Sequence, residues 1–314
     1  MTTNVRWVHL DDLPHQGRVL VRVSGEDATR FLQGLLTADV GELTPGQATP
    51  AALLTVKGKI VSELWVLAVD EDEPWLAIPQ ETAEAVVTSL DDHVIMDDVE
   101  LEVLEDQRCA LIWGEGGEAL RFEPEDPALK AFACTHPLPG TLVVGPRAVL
   151  AARLEGRGEN ADAQAFDRAR IAHARPAWGY ELVADRFPPE VGFVDAVSYE
   201  KGCYMGQEPL SRIHNRGQVN RVMVRLAGEG EGWEPLPLTL TLDGAEVGQW
   251  TSAARASGDG QKLLGLGIIK RAHAKVGVEL YAGTQRVEVC SGPLGDDPGI
   301  GGRKQSATVS LGGR

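Results

Sequence analysis

Closely spaced cysteines are absent from this chain: its four, Cys109, Cys134, Cys203 and Cys290, stand far apart in 314 residues and form no CxxC pair. That excludes a zinc knuckle and a disulfide framework, and reduced thiols are the simpler reading. Long apolar stretches are missing as well. No segment approaches the run of about 18 apolar residues that a membrane span needs, and Met1 to Leu10 lacks the basic-then-apolar order of a secretory leader. The expected location is therefore the cytoplasm, with no membrane contact. Positive charge is scarce, 30 Lys and Arg against 46 Asp and Glu for a formal net charge of -16, which opposes nonspecific adhesion to nucleic acid. His93, His136 and His173 have no carboxylate or cysteine at metal-ligand spacing, so no metal site is expected. Internal repeats and coiled-coil heptads are also lacking, and a monomer is the default.

The hydrophobic content of 43% is enough for a sizeable core, and the length suggests two or three structural units. Arg18 to Val23 alternates like a half-buried strand, and a helix is predicted from Glu26 to Leu36, with Ser24 as its cap and Phe31, Leu32, Leu35 and Leu36 on its apolar face. Leu53 to Val56 and Ile60 to Val69 read as strands around the turn Lys57-Gly58-Lys59, and Trp75 to Ile78 as a third. A helix over Gln80 to Leu90 and strands at Val99 to Leu104 and Ala110 to Trp113 follow without regular βαβ alternation, which makes the fold class α+β. Helical spacing returns between Leu154 and Trp178. Beyond Val219, short apolar runs separated by glycine-rich turns suit a small all-β barrel. The expected domains are 1–220, 221–292 for the barrel and 293–314 as a mobile tail.

The chemistry concentrates in Lys201-Gly202-Cys203-Tyr204-Met205-Gly206-Gln207-Glu208. Two readings of its sulfur stand. Glycines allow backbone and thiol to be exposed together, with Lys201 available to raise the thiolate fraction; alternatively the cysteine is buried and inert in a tight turn. Residues 200 to 225 carry five Lys or Arg against two Glu, a reversal of the overall balance. Arg212 and Arg216 suit bidentate capture of a carboxylate or phosphate, or they form a solvated edge that discourages strand pairing.

The stretch KGCYMGQE, followed by Ser211-Arg212 and later Arg216-Gly217, resembles the signature of the YgfZ family, folate-binding proteins related to the glycine-cleavage aminomethyltransferase. Further segments resemble that family in order: Ser24 to Ala28 with Phe31-Leu32-Gln33-Gly34, Thr37 to Val40, Lys57-Gly58-Lys59, and Pro189-Glu190. The resemblance implies an aminomethyltransferase-like folate-binding core with a ferredoxin-like unit, a central cavity and a barrel that closes it. It implies tetrahydrofolate or another reduced folate as cofactor. It further implies support of iron-sulfur enzymes, including a tRNA-thiolating radical enzyme, as partners, with Cys203 as the working thiol, while the acidic balance leaves no direct nucleic-acid contact expected.

Lys201 joins Cys203 as a candidate catalytic residue, and Glu190, Phe166, Arg212, Tyr204, Gln207 and Arg216 are the candidate folate contacts. Phe166 matches an aromatic position beside the pterin while Arg18 replaces another, and at helical spacing Phe166 is also a plain core residue. Glu190 can accept from an aminopterin edge, with Gly179 and Glu181 competing for that role. Aminomethyl transfer itself is disfavoured, because Ser62 stands where that enzyme has an Asp, and Glu63 faces the other way unless the strand register shifts. A noncatalytic RNA or partner-binding module is the remaining alternative.

Overall fold

The computed structural model describes residues 5–70, 73–114, 122, 125–256 and 259–295. The chain begins with β1 (Val5–His9), then β2 (Arg18–Ser24), α1 (Ala28–Leu35), β3 (Ala48–Leu54), β4 (Ile60–Ala68), β5 (Pro74–Pro79), α2 (Ala83–Asp91) and β6 (Glu100–Val103). Strands β3-β4-β5-β2-β6 form a five-stranded sheet whose neighbours all run antiparallel. Leaving out β3, the order and the two crossover helices are those of the expected ferredoxin-like unit, and β3 extends its edge as a hairpin with β4. Alternation along each strand feeds two cores. Val21, Leu64, Val66, Leu76 and Ile78 pack against α1 and α2, while Leu20, Trp65, Leu67, Trp75 and Ala77 point the other way. Both faces are covered, which is why these strands read as nearly continuous apolar runs.

The second sheet uses β7 (Gln107–Gly114), β8 (Lys130–Cys134), β9 (Gly140–Pro146) and β10 (Glu159–Asn160) in the order β10-β1-β7-β9-β8, with α3 (Arg147–Leu154) between β9 and β10. Cys109, Leu111 and Trp113 face the first sheet, so one apolar layer is shared between the sheets. Ala110, Ile112 and Val143 face Leu150 and Leu154 of α3.

The helix expected across Leu154 to Trp178 is shorter. Its body is α4 (Ala163–Ala172), because Gly156 and Gly158 adopt positive φ and Asp162 accepts from Ala165 N at 2.7 Å to start the helix. Ser24 does not cap α1 either; it ends β2, and Asp27 is the capping residue, its carboxylate accepting from Asp98 N at 3.0 Å. After α5 (Gln207–Arg216) comes the barrel: β11 (Arg221–Glu229), β12 (Leu238–Leu242), β13 (Ala245–Ala256), β14 (Asp259–Lys270), β15 (Glu279–Ala282) and β16 (Gln285–Val289). These six strands close in the order β11-β14-β13-β12-β15-β16.

The barrel is tied to the core by a buried carboxylate. Glu181 accepts from Thr251 Oγ1 and Ser252 Oγ at 2.6 Å each and from Arg170 at 2.9 Å. Around it, Met223, Leu266 and Ile268 pack with Ile171, Trp178 and Tyr204. Of the tail expected to be mobile, residues from 296 onward lie outside the described set, and Leu294 N donates to Met223 O at 2.9 Å. Among the described residues no helix is long and apolar enough to cross a membrane.

Candidate functional site

Three of the segments quoted from the sequence meet in space. Lys201 sends its ammonium into the last turn of α1, donating to Gln33 O at 2.8 Å and to Leu36 O and Ala38 O at 2.6 Å each. Those carbonyls have no partner within a helix that has ended, so the cation caps them and complements the negative end of the helix dipole. Met205 N donates to Gly34 O at 3.1 Å, and Ser198 N to Thr37 O at 2.9 Å. Thr37 Oγ1 donates to Ala196 O at 2.5 Å and accepts from Ala52 N at 2.8 Å. The turn at Gly58 closes the assembly. Gly206, with φ +79, lies so near the turn that a Cβ would stand 2.5 Å from Thr55 O, and a Cβ on Gly58 would stand 3.1 Å from Pro209.

On this base Cys203 is exposed, and so is Gly202. Tyr204, the next residue, is buried with its ring 4.9 Å from the Lys201 ammonium. The thiol thus sits between anchored neighbours. Burial pushes Lys201 down to about 8 and the Tyr204 hydroxyl up to about 12. The Lys201 ammonium is engaged with three backbone carbonyls at the end of α1. Gln207 opens α5, whose span was read from sequence as loop and edge. Arg212 lies on its exposed face, 4.0 Å from Glu208. Arg216 is the last residue of α5, and its side chain lies outside the described set. A polar recess of ≈ 540 Å³ adjoins the segment, bordered by Asp39, Glu200, Ser211 and a stacked Tyr199–His214 pair with centroids 4.0 Å apart.

The layer between the sheets holds a buried ion pair. Arg18 donates to Glu63 Oε1 at 2.6 Å, both side chains being 0% exposed, and His136 Nε2 stands 3.3 Å from Glu63 Oε2. The guanidinium lies over Trp65, 4.1 Å from the ring centre. Burial alone would raise the Glu63 carboxyl, but Arg18 and His136 outweigh it and hold the group at about 2. Burial lowers His136 in turn, against the pull of Glu63. Phe166 belongs to the same interior, edge-on to Trp113 at 6.4 Å. Ser62, on the opposite face of β4, shares a 2.6 Å hydrogen bond with Thr82.

The candidate folate contacts therefore do not form one wall. Phe166 is core, Tyr204 is beneath the Cys203 segment, and Arg212 faces away on α5. Glu190 sits on a short 3-10 turn, Pro188–Val191, where its carboxylate accepts from Phe187 N at 3.0 Å and lies 3.8 Å from Lys59 Nζ. Glu181 is engaged by Arg170 on one oxygen and by the barrel on the other, and a Cβ on Gly179 would stand 2.4 Å from His15. Arg216, whose side chain lies outside the described set, completes the list, and no chemical step is derived through a folate. The sequence reading also missed Lys59 and Thr37 as joints of the site; their signal was only that each lies inside a quoted segment.

Residues 5–116 match the GCVT N-terminal domain. The tRNA-modifying protein YgfZ of Escherichia coli is 27% identical over 270 residues, 78% of this chain and 81% of that protein. The family resemblance is borne out. A mitochondrial homologue of the iron-sulfur cluster assembly factor IBA57 from Yarrowia lipolytica is 25% identical over 282 residues, and the match spans 71% of this chain but only 58% of that relative. A putative chloroplastic transferase of Arabidopsis thaliana is 25% identical over 300 residues, covering 87% of this chain and 67% of the relative. Among solved structures, the glycine cleavage system aminomethyltransferase T from Bartonella henselae superposes with a TM-score of 0.76 at 18% identity, covering 93% of this chain and 86% of that one. That likeness establishes the aminomethyltransferase-like fold.

Proposed function

We propose that this protein is an accessory factor for iron-sulfur cluster assembly or repair and for iron-sulfur-dependent tRNA modification, with Cys203 as its functional thiol. The observation that carries this reading is the exposed sulfur held between the anchored Lys201 and Tyr204. Thiolate is a soft ligand suited to cluster iron. One cysteine cannot complete the four-thiolate shell such clusters take, so the client supplies the remaining ligands and the cluster passes as cargo. The fold and the motif support a reduced folate, tetrahydrofolate first, as ligand; calorimetry on the purified chain tests it.

Aminomethyl transfer is the weaker reading. Ser62 supplies no carboxylate, and Glu63, held at about 2 by Arg18 and His136, is far too weak a base near neutral pH. Expression of the wild type in cells lacking their own YgfZ is expected to restore iron-sulfur enzyme activity and tRNA thiolation, and Cys203→Ala is expected not to. Full rescue by the alanine variant would sink the thiol role.

A further inference from the structure

The segment Ser24 to Ala28, quoted from the sequence and not used by the thiol site, grips the loop between α2 and β6. Asp27 N donates to Asp98 O at 3.2 Å, the Asp27 carboxylate accepts from Asp98 N at 3.0 Å, and Glu26 N donates to Asp98 Oδ2 at 3.4 Å. Gly25, with φ +113, permits this approach, since a Cβ there would stand 2.0 Å from Asp98 O. Arg30 of α1 pairs with Asp27 and reaches Asp97 at 2.6 Å. Val94 and Val99 pack against the core beneath α1 and α2 and root both ends of the loop. Between those roots Ile95 and Met96 stand in solvent at 82% and 93% exposure, the two most exposed large apolar side chains among the described residues. Scattered single apolar residues on a surface are ordinary, whereas an adjacent pair held out on a fastened loop marks a contact surface.

The charge around this tip selects what covers it. Residues 91–100 carry five Asp or Glu and no Lys or Arg. Asp91, Asp92, Asp98 and Glu100 are exposed, and Arg30, the cation that reaches the loop, is already paired. A second copy docking through the same patch would bring like carboxylates face to face, and an anionic bilayer would repel them, in a chain whose net charge is -16. Strand addition is opposed too, because β6 at the outer edge of its sheet has only four residues, two of them glutamates. We infer that the Ile95–Met96 tip is a docking knob for a protein partner that offers apolar side chains inside a rim of Lys or Arg, as a basic amphipathic helix does. The loop is ordered before contact, so docking loses little conformational freedom, and the flexible thioether of Met96 adapts to the partner's contour. The tip lies at the first turn of α1 and the Cys203 segment at its last, about 12 Å apart along a helix of 8 residues. Removing the knob therefore leaves the thiol site untouched, and the inference does not rest on the thiol role.

The experiment titrates the full chain by calorimetry with a synthetic amphipathic helical peptide of leucine and lysine, using a scrambled peptide of the same composition as control, and follows amide hydrogen exchange. Saturable binding of the amphipathic peptide is expected, weakening as salt screens the carboxylates, with the amides of residues 92–99 protected. Ile95→Ser combined with Met96→Ser is expected to weaken binding by about tenfold or more, as loss of central apolar contacts does, at an unchanged melting temperature because both side chains are exposed. Val276→Ser, which removes an exposed apolar side chain elsewhere on the surface, is expected to leave the affinity at its wild-type value. Equal binding of the scrambled peptide, or an affinity that the double replacement leaves unchanged, overturns the inference. So does self-association in sedimentation, or binding to phosphatidylglycerol vesicles in flotation, that the double replacement removes, since the tip then has another occupant. Should the double variant fail to fold, exchange in the wild-type chain decides: protection of residues 92–99 by the amphipathic peptide alone supports the inference and its absence overturns it. Cys203→Ala is expected to bind the peptide as the wild type does, so a failure here would leave the proposed thiol function standing.

Discussion

Arg18 between the two sheets and Lys201 beneath the Cys203 segment are both cations withdrawn from water, at 3% and 8% exposure. Arg18 meets a carboxylate, and the pair is sealed in the apolar layer between the two sheets. Lys201 meets three carbonyl oxygens instead, and its charge is used to fasten a loop to a helix end while the neighbouring thiol stays outside. The first arrangement neutralises charge inside the core. The second spends charge on position and keeps a reactive atom open. A cation near a cysteine in sequence therefore does not establish that it acts on the cysteine; where its donors go decides.

The contrast is broken most severely at Glu63. Glu63→Gln leaves the Arg18 guanidinium buried without its anion, for an expected loss of about 3–5 kcal/mol, read as a lower urea midpoint at pH 7. Replacing both partners, Arg18→Met with Glu63→Leu, should recover much of that loss, since paired burial is costly in itself. Acid sharpens the point. The Glu63 carboxyl is depressed from 4.5 to about 2 in the fold, so its contribution is present above the unfolded value and is lost as pH falls through the folded one. Wild-type stability should fall steeply between those two values, and the steepness should be reduced in Glu63→Gln.

At the thiol segment, holding and presenting can be separated. Lys201→Met keeps the length of the side chain but leaves buried carbonyls without a donor, for about 1–3 kcal/mol of destabilisation and a failure to restore iron-sulfur enzyme activity in complemented cells. Cys203→Ser should change the melting temperature by no more than an exposed substitution does, about 0.5 kcal/mol in stability, and fail in the same cells. A Cys203→Ser variant that unfolds as readily as Lys201→Met would show that the thiol is structural after all.

How far the sequence disclosed this follows from locality. The strands β2, β4 and β5 and the barrel were legible because alternation and glycine turns are local signals, and KGCYMGQE was legible because its residue types are rare together. The second sheet was largely missed: β8 and β9 are short apolar runs on either side of the His136-Pro137-Leu138 turn, with no period long enough to call. The helix α5 was missed because its segment was read for chemistry, and its glycine start resembles a loop. The partners of Lys201 were hidden for a different reason. Gln33, Leu36 and Ala38 lie more than 160 residues earlier, and no local pattern announces that a helix end will need a cation there. Arg18 and Glu63 were each noticed, one as a missing aromatic and one as a displaced acid, but only the sheet pairs them.

The mildest prediction concerns Arg212, which the sequence placed among the folate contacts and the fold places on the open face of α5. Its pairing with Glu208 is between two exposed side chains four residues apart, at 4.0 Å, a geometry that stabilises little. Arg212→Glu should therefore leave the melting transition and tetrahydrofolate affinity at wild-type values. It also bears on the RNA alternative. If α5 tracked a phosphate backbone, tRNA affinity would fall with salt and the charge reversal would lower the slope of log affinity against log salt by about one or two phosphates' worth. With a net charge of -16 opposing such contact, the expected result is no salt-dependent tRNA binding by the wild type.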